Sequence, residues 1–327
     1  MTNAPEINQV FVGGSGRSGT TITGFILGKH AKIWNTLPRE VRFMSDPGGL
    51  LDLALGADTR IQYLTSAPDA ERTGRAKLKE VLLKVRGSSK KPEDTNLAEF
   101  LDKMRGKWWY RTGPDGGPRG FHRGYNHEQF LEVVAQFEAE YAANPIVASQ
   151  DFVARLLGDK AKSLGAETFV DTTPLNGENA HRIIQLLPHA KAIHLVRDGR
   201  DTVSSVLTKN WGPDQPIYAL KWWYDRTLRA HLSAERCPSN QVLEVNMDDL
   251  ITYDRDAQLN RLFNFLGYEP DASVKTFFAE NVNADRGNQG RWRKDISPAI
   301  LKEFDDTYAD MHAKLVAAGV PLRPIES

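Results

Sequence analysis

The chain has 327 residues, and its 42 Lys plus Arg balance 42 Asp plus Glu, so the formal charge is zero. That balance excludes a nucleic-acid binder held by overall charge, and any basic site must be local. Its single cysteine, Cys237, excludes an internal disulfide and a cysteine-built zinc site, and points to a reducing, cytoplasmic setting.

The length suits either two domains or one large α/β unit with insertions. Met1 to Gln9 is polar and contains Glu6, unlike a signal peptide. No apolar run reaches the length of a membrane span. A hydrophobic fraction of 40%, a charged fraction of 26% and a mean hydropathy of −0.46 describe an ordinary soluble globular chain.

In chain order, Gln9 to Gly13 predicts a strand that stops at glycines, and Thr20 to Lys29 a helix with Ile22, Phe25 and Ile26 at helical spacing. Leu50 to Leu164 shows helical patterns and a Gly/Pro-rich break from Gly113 to Gly120, and reads as a helical insertion, about 50–165, over the sheet. The tract Arg86 to Glu93 reads as a solvated basic loop. Alternation resumes with a strand at Glu167 to Val170, a helix at Glu178 to Leu187, a strand at Lys191 to Val196 and a helix from about Arg200. Gln241 to Val245 is a further strand, the helix after it stops at Gly267, and a last helix spans about Ala299 to Ala317. Alternating strands and helices imply a three-layer α/β fold around a central parallel sheet, of the P-loop type. The whole chain, 1–327, is expected to form a single domain with the insertion as a lid over its functional site.

The loop Gly13-Gly14-Ser15-Gly16-Arg17-Ser18-Gly19-Thr20-Thr21 fits two templates. As G-x-G-x-x-G it suits a nicotinamide-dependent oxidoreductase, with Glu40 on the ribose, but Pro38 breaks the strand that should carry that acid. As a P-loop it lacks the nucleotide lysine, since Thr20 stands there, and a phosphotransferase is disfavoured for that reason. The positive charge sits within the loop at Arg17. Backbone N–H groups, the helix N-terminus and the Ser18, Thr20 and Thr21 hydroxyls would hold an inner phosphate while Arg17 meets the terminal group. Farther on, Arg197 ends an apolar strand, where α/β ligands bind, and offers bidentate donors to phosphate, with Ser205 adding an uncharged hydroxyl. Asp198, Arg200 and Asp201 are expected to form ordinary exposed ion pairs.

The loop from Val12 to Thr21 resembles the 5′-phosphosulfate loop of sulfotransferases that use 3′-phosphoadenosine-5′-phosphosulfate (PAPS), with a flavour of the tyrosylprotein and carbohydrate branches. His194 to Ser205 looks like that family's 3′-phosphate segment and carries Arg197 and Ser205 onto its arginine and serine. Val245 to Leu250 is similar to the strand and acidic turn that follow. Arg286-Gly287-Asn288-Gln289-Gly290-Arg291-Trp292-Arg293-Lys294 resembles the basic loop that returns to the same phosphate. The resemblance implies PAPS as co-substrate, bound by Gly16, Arg17, Ser18, Gly19, Thr20, Thr21, Arg197, Ser205, Arg286, Gly287, Arg291 and Trp292. It implies sulfuryl transfer to a hydroxyl of a carbohydrate or small molecule.

In that chemistry Arg17 stabilises the leaving phosphate, and Glu40, in a run similar to the region of the catalytic glutamate in tyrosylprotein and heparan sulfate 3-O-sulfotransferases, is the general base. A glutamate carboxylate is ionised near neutrality and can accept the acceptor's proton. Asp171-Thr172-Thr173-Pro174 departs from the Asp-Lys-Thr-Pro of many bacterial relatives, leaving Thr172 or Thr173 to stand in for a lysine. Trp108 and Trp109, beside Arg105, Lys107 and Arg111, are candidate contacts to an anionic or polyhydroxylated acceptor, with Arg42 and His122 lining the same opening. Trp222-Trp223-Tyr224 reads as core. No metal is expected, since the histidines have no ligand spacing. A donor-binding protein without catalysis is the remaining alternative.

Overall fold

The computed structural model of the chain describes residues 6–36, 40–57, 97–113, 116–209 and 211–325. The basic tract from Arg86 to Glu93 lies outside them. Five strands, β1 (Asn8–Gly14), β2 (Ile33–Asn35), β5 (Thr168–Asp171), β6 (Lys191–Val196) and β7 (Val242–Asn246), pair in parallel in the order β2-β5-β1-β6-β7. β3 (Arg111–Thr112) and β4 (Pro118–Arg119) form a separate antiparallel ribbon at the Gly/Pro-rich break. The sequence reading anticipates every strand of the main sheet except β2, whose three residues are too few to display a period.

The strands are buried on both faces, and the alternation within them sorts two cores. Phe11 meets Phe169 edge-on at 5.8 Å on one face, while Val10, Val12 and Val170 face the other. Burying each such side chain contributes about 1.5–3 kcal/mol. The Phe11 face is covered by α2 (Leu50–Leu55), α3 (Leu97–Lys103), α4 (His127–Tyr141) and α5 (Pro145–Val153), through Phe100, Phe137 and Phe152. Asn126 caps α4 by accepting from the N–H groups of Glu128 and Gln129, and Asn144 with Pro145 starts α5. On the same side α6 (Ala180–Leu186) follows β5.

The opposite face packs on α1 (Thr20–Leu27), and beyond it lie α9 (Arg255–Leu266) and α10 (Ala272–Asn281); α9 stops at Gly267, whose φ of 85° needs no side chain. A third core joins α7 (Gly199–Leu207), α8 (Pro216–Ala234) and α11 (Leu301–Ala317) around Trp223, Phe304 and Tyr308. Because all the main strands are parallel, Gly14, Asp171, Val196 and Asn246 end on one edge of the sheet, where the site assembles. No helix among the described residues is long and apolar enough to cross a membrane.

Candidate active site

β1 runs into its loop through two glycines that admit no side chain. A Cβ on Gly13 would lie 1.8 Å from the Gly177 nitrogen, and one on Gly14 would lie 2.2 Å from Ser18 Oγ. The loop then turns through left-handed backbone at Gly16 (φ 84°), Arg17 (φ 62°) and Gly19 (φ 103°). Arginine at positive φ is unusual. It is retained here with its side chain in a cleft: Arg17 Nε donates to Ser205 Oγ at 2.9 Å. Gly19 precedes α1 with no side-chain cap, so the first N–H groups of that helix remain for an anion.

Arg197, at the end of β6, ties this loop to the C-terminal basic loop. Its Nη1 donates to the Arg17 carbonyl at 3.1 Å and its Nη2 to the Gly287 carbonyl at 2.5 Å. Its Nε is buried with no partner among the described residues, as is Ser18 Oγ. Burial in the cleft, and then the charge of Arg197, hold Arg17 below the ordinary arginine pKa. Among the described residues no carboxylate forms an ion pair with either arginine. Two like charges facing one space, outnumbering the Asp201 carboxylate on its wall, make an anion site. That space is a cavity of about 590 Å³ whose polar side presents Arg17, Arg197, Ser205, Arg286, Gly287 and Arg291, and whose apolar side includes Phe25 and Phe277.

Glu40 is not part of the cavity wall but lies near enough to Arg17 for its charge to raise the Arg17 pKa. Its Oε2 is 3.4 Å from Arg42 Nε, and its carbonyl accepts from Arg111 Nη2 at 3.4 Å. Behind it, Asp171 is fully buried at the end of β5, accepting from Thr173 N, Thr173 Oγ1 and Asn176 Nδ2. Burial pushes the Asp171 carboxyl up to about 6 despite these donors. Thr173 Oγ1 also accepts from the Arg42 backbone N–H at 3.2 Å. Thr173 is therefore a scaffold for residues 40–42. The Thr172 methyl packs against α1, where a Cβ on Gly24 would lie 2.5 Å away.

A family model described as the sulfotransferase family matches residues 9–272, most of the chain and every strand that frames this edge. The chain belongs to the sulfotransferase family. The sulfotransferase domain from the curacin biosynthetic pathway shares the fold, with a TM-score of 0.50 at 12% identity, over 96% of this chain and 99% of that one. The sulfotransferase domain from the Synechococcus PCC 7002 olefin synthase is 19% identical over 95% of this chain and 97% of its own, with a TM-score of 0.46. No match was found among curated proteins. The expected three-layer α/β architecture thus holds for this sulfotransferase.

The structure gathers Arg17, Gly19, Arg197, Ser205, Arg286, Gly287 and Arg291 around the cavity. Gly16 lies in the same loop, Ser18 and Thr20 are buried within it, and Thr21 is exposed at the start of α1. Two residues expected at the site lie elsewhere. Trp292 is not a wall of this cavity: it is 5% exposed, packed on Phe304, with the Arg200 and Arg293 guanidiniums 4.5 and 4.6 Å from its ring. Trp108 offers no face to an acceptor, being 1% exposed in the core beside Phe100, because its helical turn points it inward. Trp109 is half-buried on His127 and Phe130, and His122 Nδ1 pairs with the Trp109 carbonyl at 3.1 Å.

The ion pair expected of Arg200 forms, its Nη2 lying 2.8 Å from Asp198 Oδ2, but it is not an open surface pair: Arg200 is buried between Trp292 and Tyr308. Asp201 is buried too, and its Oδ2 accepts the Gly290 N–H at 3.0 Å, docking the basic loop onto α7. Trp222, read as core, packs half-buried against the third core and also leans on the anion loop, where a Cβ on Gly16 would lie 3.3 Å from its Cη2. Its neighbour Trp223 is the buried one. Only spacing along α8 could have separated them, and adjacent tryptophans give no such signal. Among the described residues no group of three or more His, Cys, Asp or Glu is placed to hold a metal ion.

Proposed function

We propose that this protein transfers the sulfuryl group of PAPS to a hydroxyl of an acceptor, with Glu40 as general base and Arg17 as the group that meets charge on the leaving phosphate. One observation carries the reading: a nucleotide-sized cavity presents Arg17, Arg197 and Arg286 to a single space, with the Arg197 Nε buried and unpartnered among the described residues. That donor set fits a doubly phosphorylated adenylate. Bound there, PAPS supplies an activated sulfuryl group. Arg17 and the N–H groups opening α1 hold the 5′ end, and Arg197, Ser205, Arg286 and Gly287 hold the 3′-phosphate. Ser205 Oγ accepts Arg17 Nε and leaves the Arg17 terminal N–H groups for the bridging oxygen. Glu40 takes the acceptor's proton, and the helices of the insertion form a lid over that side.

Thermal shift against a nucleotide panel tests this. Adenosine 3′,5′-bisphosphate should stabilise the protein, whereas nicotinamide cofactors, and ATP with magnesium, should not. Arg197→Ala should weaken the bisphosphate strongly, by about 2 kcal/mol or more, the scale of a lost charge-assisted phosphate contact. Adenosine 5′-phosphosulfate should lose far less, and equal losses would contradict the assignment.

Asp201 adds a pH dependence. It lines the cavity, and burial pushes its carboxyl up to about 6. An anion beside it favours its protonated form, so its repulsion is full above pH 7 and disappears as pH falls through 6. The ligand's own phosphate titrates near 6 and acts oppositely. The Asp201→Asn variant cancels that term: it should bind the bisphosphate up to about tenfold more tightly than wild type at pH 7.5, and equally at pH 5. Isothermal titration at the two pH values reads the difference, and a constant ratio would refute it.

A further inference from the structure

A second concentration of positive charge lies outside the donor cavity, where the insertion meets residues 40–46. Arg42, at φ 69°, is pinned by its backbone N–H on Thr173, and its Nε stands 3.4 Å from both Glu40 Oε2 and Asp46 Oδ1. Arg111 reaches the Glu40 carbonyl, and Lys107 lies with its ammonium 5.0 Å from the Trp108 ring centre. Arg42, Lys107 and Arg111 all act on Asp46, which is nearly buried. Arg226 also acts on it but has its own partner in Glu178 at 2.7 Å. Three cations therefore share two carboxylates, and Lys107 has no ion-pair partner among the described residues.

Burial lowers the Lys107 pKa, and the like charges of Lys103, Arg42 and Arg111 lower it further against the pull of Asp46. Charges crowded and partly desolvated in this way are relieved by a bound anion. The donor is not that anion, since neither Arg42, Lys107 nor Arg111 lines its cavity.

We infer that the acceptor carries an anionic group, a carboxylate or a sulfate ester, seated between Lys107 and Arg111 while its hydroxyl faces Glu40. The inference rests on the sulfuryl-transfer reading of Glu40 and names its substrate class. Two fluorescent probes of matched ring, 6-hydroxynaphthalene-2-sulfonate and 2-naphthol, are titrated into protein saturated with adenosine 3′,5′-bisphosphate. The sulfonate should bind about tenfold or more tightly than the naphthol, an advantage that 0.5 M salt largely removes. It should vanish in Lys107→Met, which keeps the stem over Trp108, and return in Lys107→Arg. Equal affinities, an advantage indifferent to salt and to Lys107→Met, or no binding of either probe would overturn the inference while leaving the donor reading intact. Failure of the bisphosphate to raise the melting temperature would instead remove the donor reading, and this inference with it.

Discussion

Replacing Glu40 by glutamine is expected to lower kcat by about 10²- to 10⁴-fold while leaving bisphosphate affinity within about twofold of wild type. The substitution keeps the side chain's size, and the contact from Arg111 goes to the main-chain carbonyl of Glu40, so it survives. What disappears is the proton acceptor. If Glu40 served only to pair with Arg42, the pair at 3.4 Å and half-exposed would contribute no more than about 1 kcal/mol. The rate would then change less than about tenfold, the equivalent of that energy. The size of the loss separates the two cases: about 10²-fold or more marks a missing proton acceptor, and less than about tenfold a missing ion pair. A variant that retains its rate would remove Glu40 from the chemistry.

Arg17→Met is expected to lower kcat by about 10²- to 10³-fold, the effect of deleting one preorganised donor at a developing charge. The loop should persist, because Arg197 grips the Arg17 carbonyl rather than its side chain. Both residues carry a side chain at φ 62°, so the backbone strain is unchanged. Arg17→Lys should recover part of the rate: the charge returns, but a single ammonium cannot serve Ser205 and the bridging oxygen in the geometry of a planar guanidinium. Single-turnover kinetics with donor in excess measures the step directly. A loss below about tenfold in the methionine variant would show that the charge on the leaving phosphate is met elsewhere.

Much of the donor side is legible before any coordinates. A glycine run between a strand and a helix can only be a tight loop at the carboxyl edge of a parallel sheet, and an arginine at the end of the next apolar strand must share that edge. The acceptor side resists such reading. Trp108 and Trp222 each precede another tryptophan, yet one is fully buried and the other is half-buried with an edge on the anion loop, because a single residue along a helix rotates a side chain by about 100°. Asp201 and Arg200 look like surface charges until Gly290, Trp292 and Tyr308, from the far end of the chain, close over them.

The sequence by itself determined the layered α/β architecture, the loop from Gly13 to Thr21 and the chemical types available along one sheet edge, because those depend on local periodicity and backbone permission. Only the tertiary structure decided which charges are left uncompensated. Arg17, Arg197, Asp201 and Lys107 owe their character to neighbours brought from distant segments, and a partner's distance and burial, not its position in the chain, set the field that a substrate meets.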